Sequence, residues 1–209
     1  MRIQWLTQTG TAAEVIVVFG GWAVGPDGLR HLGGAQDVLF VDDYRDLDGD
    51  LPDLSAYRTR RLIAWSFGVA GYGHWQAARR IDPFTRKTAL SGTLTPVDRL
   101  RGIPPAVVAK TRDTLSDTSF AAFLARCYGA PCPDPADLDI AARQAELSAV
   151  AARGPAPDPH FDCIVIPSRD RIFPPASMAR AWADQAARVV AIDAPHAPFA
   201  LWHLWDDIP

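Results

Sequence analysis

The chain has 209 residues, of which 48% are hydrophobic and 22% charged, a composition typical of a globular protein with a substantial core. The formal net charge of −3 gives no general attraction to nucleic acid or to an anionic membrane, so we expect neither as a partner. Cys127, Cys132 and Cys163 form neither an even set nor a C-x-x-C pair, which argues against a disulfide framework and against a zinc site.

The amino terminus, MRIQWLTQTG, lacks the apolar stretch of a signal peptide. The apolar run that follows it, residues 15–19, is far too short to span a bilayer. We therefore expect a cytoplasmic protein.

Six short apolar runs predict strands. They are VIVVFG (15–20), VLFV (38–41), RLIAW (61–65), TALSG (88–92), CIVIP (163–167) and VVAID (189–193). Several show little alternation, as expected of parallel strands covered on both faces. Helical patterns at 68–80 and 175–187 lie between strands. The alternation predicts an α/β fold with helices flanking a mostly parallel central sheet, and residues 1–209 suit one domain.

The region from about 93 to 160 contains no convincing strand. One helix is predicted at 117–129, with Asp117 as a possible cap, an apolar stripe and Gly129 as a stop, and a weaker helix at 138–152. A helical insertion between two strands indicates a small lid over one end of the sheet. A pair of ordinary packing helices is the alternative.

The third strand ends at a serine. Ser66 lies in Ala64-Trp65-Ser66-Phe67-Gly68, which is the G-x-S-x-G pattern with alanine in the first glycine position. A strand that ends here and turns at once into a helix would form a nucleophile elbow and hold the hydroxyl above the sheet. The match alone is weak, and a serine without chemical function is the alternative. The strand before it and the small residues after it favour the elbow.

Partners for this serine follow in the order nucleophile, acid, histidine that α/β-hydrolases use. Asp170 follows the strand at 163–167, and His196 follows the next strand. Asp170 could instead cap the helix after it, and Asp162 and Asp193 are rival acids at strand edges. The other histidines, which fit less well, are His31, His74, His160 and His203.

Backbone amides should stabilise the oxyanion that forms during ester hydrolysis. One is the N–H of Phe67, next to the nucleophile, and the other is that of Trp22, after Gly20-Gly21. A plain turn would also explain the two glycines. We expect the acyl chain to be bound by Gly21, Trp22, Phe67, Phe120 and Phe123.

Several blocks resemble one known family. FGGWA (19–23), DDYRDL (42–47), LSAYRTRRLIAWSFGV (54–69), GIPPAVV (102–108) and SRDRIFPPA (168–176) look like the corresponding blocks of the BioG-type pimeloyl-[acyl-carrier-protein] methyl ester esterases. These are small α/β-hydrolases of biotin synthesis. The resemblance covers nearly the whole chain, although residues 129–154 match only loosely, and Ala-Trp-Ser in place of Gly-x-Ser is a trait of that family.

The resemblance implies an α/β-hydrolase that cleaves the methyl ester of pimeloyl-acyl-carrier protein and releases methanol. Ser66 would match the nucleophile, His196 the base and Asp170 the orienting acid, with Trp22 and Phe67 at the oxyanion positions. No metal or dissociable cofactor is implied. Because acyl-carrier protein is acidic, we expect it to dock on basic residues, for which the candidates are Arg99, Arg101, Lys110, Arg112 and Arg126. A solvated face of mixed charge is the alternative there.

Three other functional classes remain open from the sequence. A purely structural or interaction protein would not need the strain of an elbow serine. A general short-chain carboxylesterase or thioesterase would use the same three residues. A non-catalytic binding protein with this fold would not need them, and such relatives usually lack the serine or the histidine.

Overall fold

The computed structural model describes residues 1–131 and 138–209. A seven-stranded sheet has the order β1-β3-β2-β4-β5-β6-β7. Its strands are β1 Arg2–Thr7, β2 Glu14–Phe19, β3 Asp37–Asp42, β4 Thr59–Trp65, β5 Arg86–Leu90, β6 Cys163–Pro167 and β7 Arg188–Ile192. The helices are α1 Phe67–Ala77, α2 Pro105–Asp113, α3 Asp117–Tyr128, α4 Ile140–Arg153 and α5 Pro175–Ala181.

The prediction of a mostly parallel sheet flanked by helices is confirmed. Strands β2 to β7 are the six predicted ones, and each pairs in parallel with its neighbours among them. Because the strands are parallel, β2, β4 and β6 end at the same edge of the sheet. The segments that follow these three strands and the parallel strand β7 carry the candidate catalytic and oxyanion residues.

The sequence did not indicate two of the elements. Strand β1 is an edge strand that runs antiparallel to β3, and most of its side chains are only half-buried, so it lacks the apolar run of the inner strands. Helix α2 buries only Val108, so it shows no apolar stripe. Helix α5 ends at Ala181, six residues before the predicted end, where the buried Trp182 indole donates to the Gly92 carbonyl over 3.0 Å.

The insertion between β5 and β6 contains helices α2, α3 and α4. Ser116 rather than Asp117 caps α3, because its side chain accepts from the Ser119 N–H, and the helix ends at Gly129 with a positive φ of 74°. The Gln144 side chain of α4 donates to the carbonyl of Arg112 in α2 over 2.7 Å. Residues 132–137 of the predicted insertion, including Cys132, lie outside the described residues.

The two faces of the sheet are covered differently. One face packs against α1 and the helices of the insertion, and the other lies against short 3₁₀ turns, including those at Pro198–Leu201 and Trp205–Asp207. The buried Arg61 of β4 connects the turns on this second face to the sheet, because its guanidinium donates to Asp206 over 2.9 Å. His203 lies in a bend between these turns.

Two cysteines, Cys127 and Cys163, are free and buried. Within residues 1–131 and 138–209, no helix is both long and apolar enough to cross a membrane.

Candidate active site

Ser66 stands at a sharp strand-to-helix turn. It follows β4 directly, precedes the first residue of α1, and has φ 60° and ψ −126°. A residue other than glycine at this φ is strained by about 1–3 kcal/mol, which persists only where the surroundings impose it. The backbone has the nucleophile-elbow geometry that the sequence pattern indicates.

Small residues around the turn are required by close backbone contacts. A Cβ on Gly68 would lie 2.1 Å from the carbonyl oxygen of Phe19. A Cβ on Gly92, after β5, would lie 2.3 Å from the carbonyl oxygen of Ser66. Ala64 is fully buried within β4, where its methyl group is accommodated. Glycine is therefore needed after the serine, whereas alanine suffices before it.

His196 connects the serine to a carboxylate. Its Nε2 lies 3.0 Å from Ser66 Oγ, and its Nδ1 lies 2.7 Å from Asp170 Oδ2. Both the imidazole and the carboxylate are buried, with side-chain exposures of 2% and 0%. With Nδ1–H donating to Asp170, Nε2 is free to accept the serine proton.

Asp170 is held by the chain that follows β6. Its Oδ1 accepts the backbone N–H groups of Ile172 and Phe173 over 2.7 and 2.8 Å. Since two main-chain donors occupy Oδ1, Oδ2 is directed to His196. The rival acids are placed elsewhere: Asp193 is exposed and pairs with Arg169 over 2.7 Å, and Asp162 accepts the N–H of Lys87.

Two aromatic residues that sequence reasoning did not single out hold His196. The Trp65 indole donates to the carbonyl of His196 over 3.0 Å, and the Phe173 ring lies parallel to the imidazole with centroids 6.1 Å apart. Trp65 directly precedes Ser66, and Phe173 is three residues after Asp170. This closeness in sequence is the only signal that could have indicated them.

The other histidines lie apart from this group. His31 contacts the carbonyl of Phe199 over 3.1 Å, His74 contacts the carbonyl of Gly154 over 3.3 Å, and His160 and His203 are exposed.

Candidate oxyanion donors adjoin the serine. A Cβ on Gly21 would lie 3.2 Å from Ser66 Cβ, so the loop after β2 approaches the nucleophile closely. Within the described part of the chain, the backbone N–H groups of Trp22 and Phe67 make no hydrogen bond. Both residues line the cavity that also contains Ser66.

A cavity of about 80 Å³ extends from Ser66. Its wall is mainly apolar and includes Trp22, Phe67, Val108, Phe123 and Leu147. Phe120, expected in the wall, lies behind it and contacts the rings of Trp22 and Phe123. Helices α2, α3 and α4 all contribute to the wall, so the insertion covers the site.

Two arginines, Arg126 and Arg171, also line this cavity, and neither forms an ion pair with another described residue. Arg126 was among the predicted docking residues, whereas Arg171 was not, although it follows Asp170 directly. Lys110 lies in an adjoining cleft together with Arg126. Arg112 pairs with Asp113 over 2.7 Å, and Arg99 and Arg101 lie on the exposed turn before Ile103.

Comparison with known proteins places the chain in a family. A family model described as "Pimeloyl-ACP methyl esterase BioG" matches residues 1–145, more than half of the chain. The chain belongs to the BioG family. An uncharacterised protein of Haemophilus influenzae is 35% identical to this BioG family member, and the match covers 92% of each chain. A malonyl-[acyl-carrier protein] O-methyltransferase of Bacteroides fragilis is 29% identical over 91% of this chain, which spans only 43% of that relative.

Solved structures agree with this assignment. The crystal structure of BioG from Haemophilus influenzae has a TM-score of 0.84 and 30% identity, with 100% of this chain and 99% of that chain covered. An esterase from Exiguobacterium antarcticum has a TM-score of 0.69 at 14% identity, over 93% of this chain and 87% of that chain, a likeness of fold alone. The predicted α/β-hydrolase fold and family are therefore confirmed.

Proposed function

We propose that this BioG family member is a serine esterase that hydrolyses the methyl ester of pimeloyl-acyl-carrier protein in biotin synthesis. The observation that carries the proposal is the chain of contacts from Ser66 Oγ through His196 to Asp170, which opens into a mainly apolar cavity. We further propose that residues 1–209 form one catalytic domain, with α2, α3 and α4 as its lid.

The proposed reaction has two stages. His196 Nε2 accepts the Ser66 proton while Oγ attacks the ester carbonyl, and the N–H groups of Trp22 and Phe67 stabilise the resulting oxyanion. Collapse of the intermediate breaks the bond to the methoxy oxygen, which takes the proton from His196 and leaves as methanol. Water, deprotonated by His196, then attacks the acyl-Ser66 ester. The bond from the acyl carbon to Oγ breaks, Ser66 Oγ takes the proton back from His196, and the acyl chain leaves as the free acid, which ionises to the carboxylate.

The apolar wall suits a methylene chain, which gains about 0.8 kcal/mol for each buried CH₂ group. Acyl-carrier protein as the source of that chain is supported by the family description and by the name of the Bacteroides fragilis relative. The basic residues at the cavity and beside it, which include Arg126 and Lys110, fit an acidic partner. The phosphopantetheine arm would arrive with the substrate, so the mechanism uses no further cofactor.

Methanol release from pimeloyl-acyl-carrier-protein methyl ester tests this proposal. We expect turnover by the wild type and a loss of at least about 10³-fold in Ser66→Ala, because no other described side chain can form the acyl-enzyme. Ser91→Ala is the matched control, since Ser91 is also buried with a positive φ of 52° but lies after β5. It should retain activity.

A free short-chain ester distinguishes the rival functions. Serine-dependent turnover that strongly favours the carrier-bound ester supports the proposal. Equal serine-dependent turnover of both esters would instead indicate a general carboxylesterase, and no serine-dependent turnover of either would indicate a binding protein.

A further inference from the structure

Helix α4 contains a carboxylate that the proposed reaction does not use. Glu146 is completely buried, and burial raises its pKa to about 7. Its Oε2 contacts Arg143 Nη1 over 2.6 Å, and its Oε1 accepts the backbone N–H of Tyr44 over 2.9 Å. Burial of a carboxylate is costly unless its partners compensate for the lost hydration. Glu146 therefore joins the insertion to the segment after β3.

Tyr44 extends this connection to the loop after β2. Its fully buried hydroxyl lies 2.8 Å from the carbonyl oxygen of Gly20 and donates to it. Burial raises the pKa of the phenol well above its ordinary value, so the O–H remains a donor. The ring also stacks on Phe19, with the planes 5° apart. Gly20 is two residues before Trp22, so Tyr44 fixes the start of the candidate oxyanion loop.

The same turn of α4 holds the other side of that loop. The Trp22 indole Nε1 donates to the carbonyl oxygen of Arg143 over 3.0 Å. The Trp22 ring packs edge-on against Phe123 of α3, with centroids 5.0 Å apart. Arg143 thus contacts the end of the loop through its main chain and Glu146 through its side chain.

We propose that Glu146 and Tyr44 are positioning residues that link helix α4 to the 20–22 loop and hold the Trp22 N–H where the oxyanion forms. The inference rests on the proposed function, since it concerns a donor in that reaction. It assigns to the insertion a second task besides covering the acyl chain. The oxyanion hole is complete only when α4 is docked on the segment after β3.

Such a role predicts a specific kinetic effect. An oxyanion donor acts on charge that develops in the transition state, so its displacement lowers kcat and leaves KM nearly unchanged. Removal of a donor costs about 100-fold to 1,000-fold in kcat, and a displaced donor should cost less, about tenfold. The affinity for a trifluoromethyl ketone, whose adduct with Ser66 carries an oxyanion, should fall by the same factor.

The test measures kcat, KM and trifluoromethyl ketone inhibition with a short neutral ester at about pH 8, above the Glu146 pKa of about 7. We expect kcat to fall about tenfold in Glu146→Ala and several-fold in Tyr44→Phe, which keeps the ring and the backbone N–H. Glu146→Gln retains an acceptor for the Tyr44 N–H and should restore most of kcat. The double variant should be no slower than Glu146→Ala, because both changes break one connection.

Gln144→Ala is the matched control. It removes a hydrogen bond of α4 as well, but that bond goes to Arg112 of α2 and not toward the oxyanion loop. We expect kcat and ketone affinity to stay near the wild-type values, with folding verified by circular dichroism for every variant.

Three results would overturn the inference. They are wild-type kcat in folded Glu146→Ala together with wild-type kcat in Tyr44→Phe, an equal loss of kcat in Gln144→Ala, and a loss confined to KM. These outcomes differ from failure of the proposed function, in which Ser66→Ala would turn over the ester as fast as the wild type.

Discussion

At the scale of single residues, both oxygens of the Asp170 carboxylate accept hydrogen bonds. Among the residues that the structure describes, Oδ1 accepts two backbone N–H groups and Oδ2 accepts only from His196. The main chain therefore fixes the orientation of the carboxylate toward the imidazole. This arrangement selects the imidazole tautomer that leaves Nε2 unprotonated toward Ser66.

We expect Asp170→Asn to lower kcat by about 10³- to 10⁴-fold with little change in KM. The amide keeps the size of the side chain, but its NH₂ group can donate to Nδ1 and so favours the tautomer in which Nε2 carries the proton. Steady-state kinetics with a short ester measure the effect.

Asp193→Asn provides the comparison, because Asp193 follows the adjacent strand β7 and pairs with the exposed Arg169. It should leave kcat within about twofold, in keeping with the small worth of exposed ion pairs. A large loss in Asp193→Asn together with an active Asp170→Asn would reverse the assignment of the acid.

At the scale of elements, the sequence predicts the strands and helices whose own residues show a recognisable pattern. Strands β2 to β7 are apolar runs, which are largely buried except in the edge strand β7, and the serine after β4 indicates the turn into α1. Strand β1 and helix α2 carry no such signal, because one is a half-buried edge and the other buries a single side chain. Their existence depends on the neighbours they pack against.

The residues that support the site could not be predicted from the sequence either, because their own segments do not indicate their contacts. Glu146 and Tyr44 are 102 residues apart, and Glu146 occurs in a helix whose pattern looks like that of any amphipathic helix. Only the docking of α4 on the sheet brings them together. In contrast, Ser66, Asp170 and His196 each follow a strand, and parallel strands bring such positions to one edge.

Glu146 also predicts how the stability of the docked helix changes with pH. Its pKa is raised from 4.5 to about 7 in the folded protein, so between these values the folded state binds more protons than the unfolded state. The free energy of unfolding therefore falls as pH rises through this window, and the loss is complete above the folded pKa. The loss attributable to Glu146 should reach about 3 kcal/mol.

Urea denaturation of the wild type and of Glu146→Gln, between about pH 4 and pH 8, measures this effect. Glutamine does not titrate, so the wild type should lose stability relative to the variant as pH rises. The charged groups that interact electrostatically with Glu146 are Arg2, Asp42, Asp43, Arg45, Arg143 and Arg153. They are common to both proteins, and a difference that does not vary with pH would contradict the prediction.

At the scale of the whole molecule, the distribution of charge says more than the net charge about where an acidic partner would bind. The net charge is −3, yet the cavity and its adjoining cleft present Arg126, Arg171 and Lys110. Among the described residues, none of these three forms an ion pair, whereas Arg112 nearby is neutralised by Asp113. An acidic partner would thus meet unpaired positive charge beside the cavity.

Charge reversal at the exposed Lys110 should raise KM for carrier-bound ester about tenfold and leave kcat unchanged, because a charge at the rim acts mainly on association. The same variant should hydrolyse a free short ester at the wild-type rate, since Lys110 lies in the adjoining cleft and not in the wall beside Ser66. Added salt should reduce the difference between Lys110→Glu and the wild type as screening increases. Arg30→Glu gives the matched reversal on the opposite face of the sheet, where Arg30 pairs with Asp27. If both reversals raise KM equally, the effect comes from the overall charge of the molecule and Lys110 does not mark the docking face.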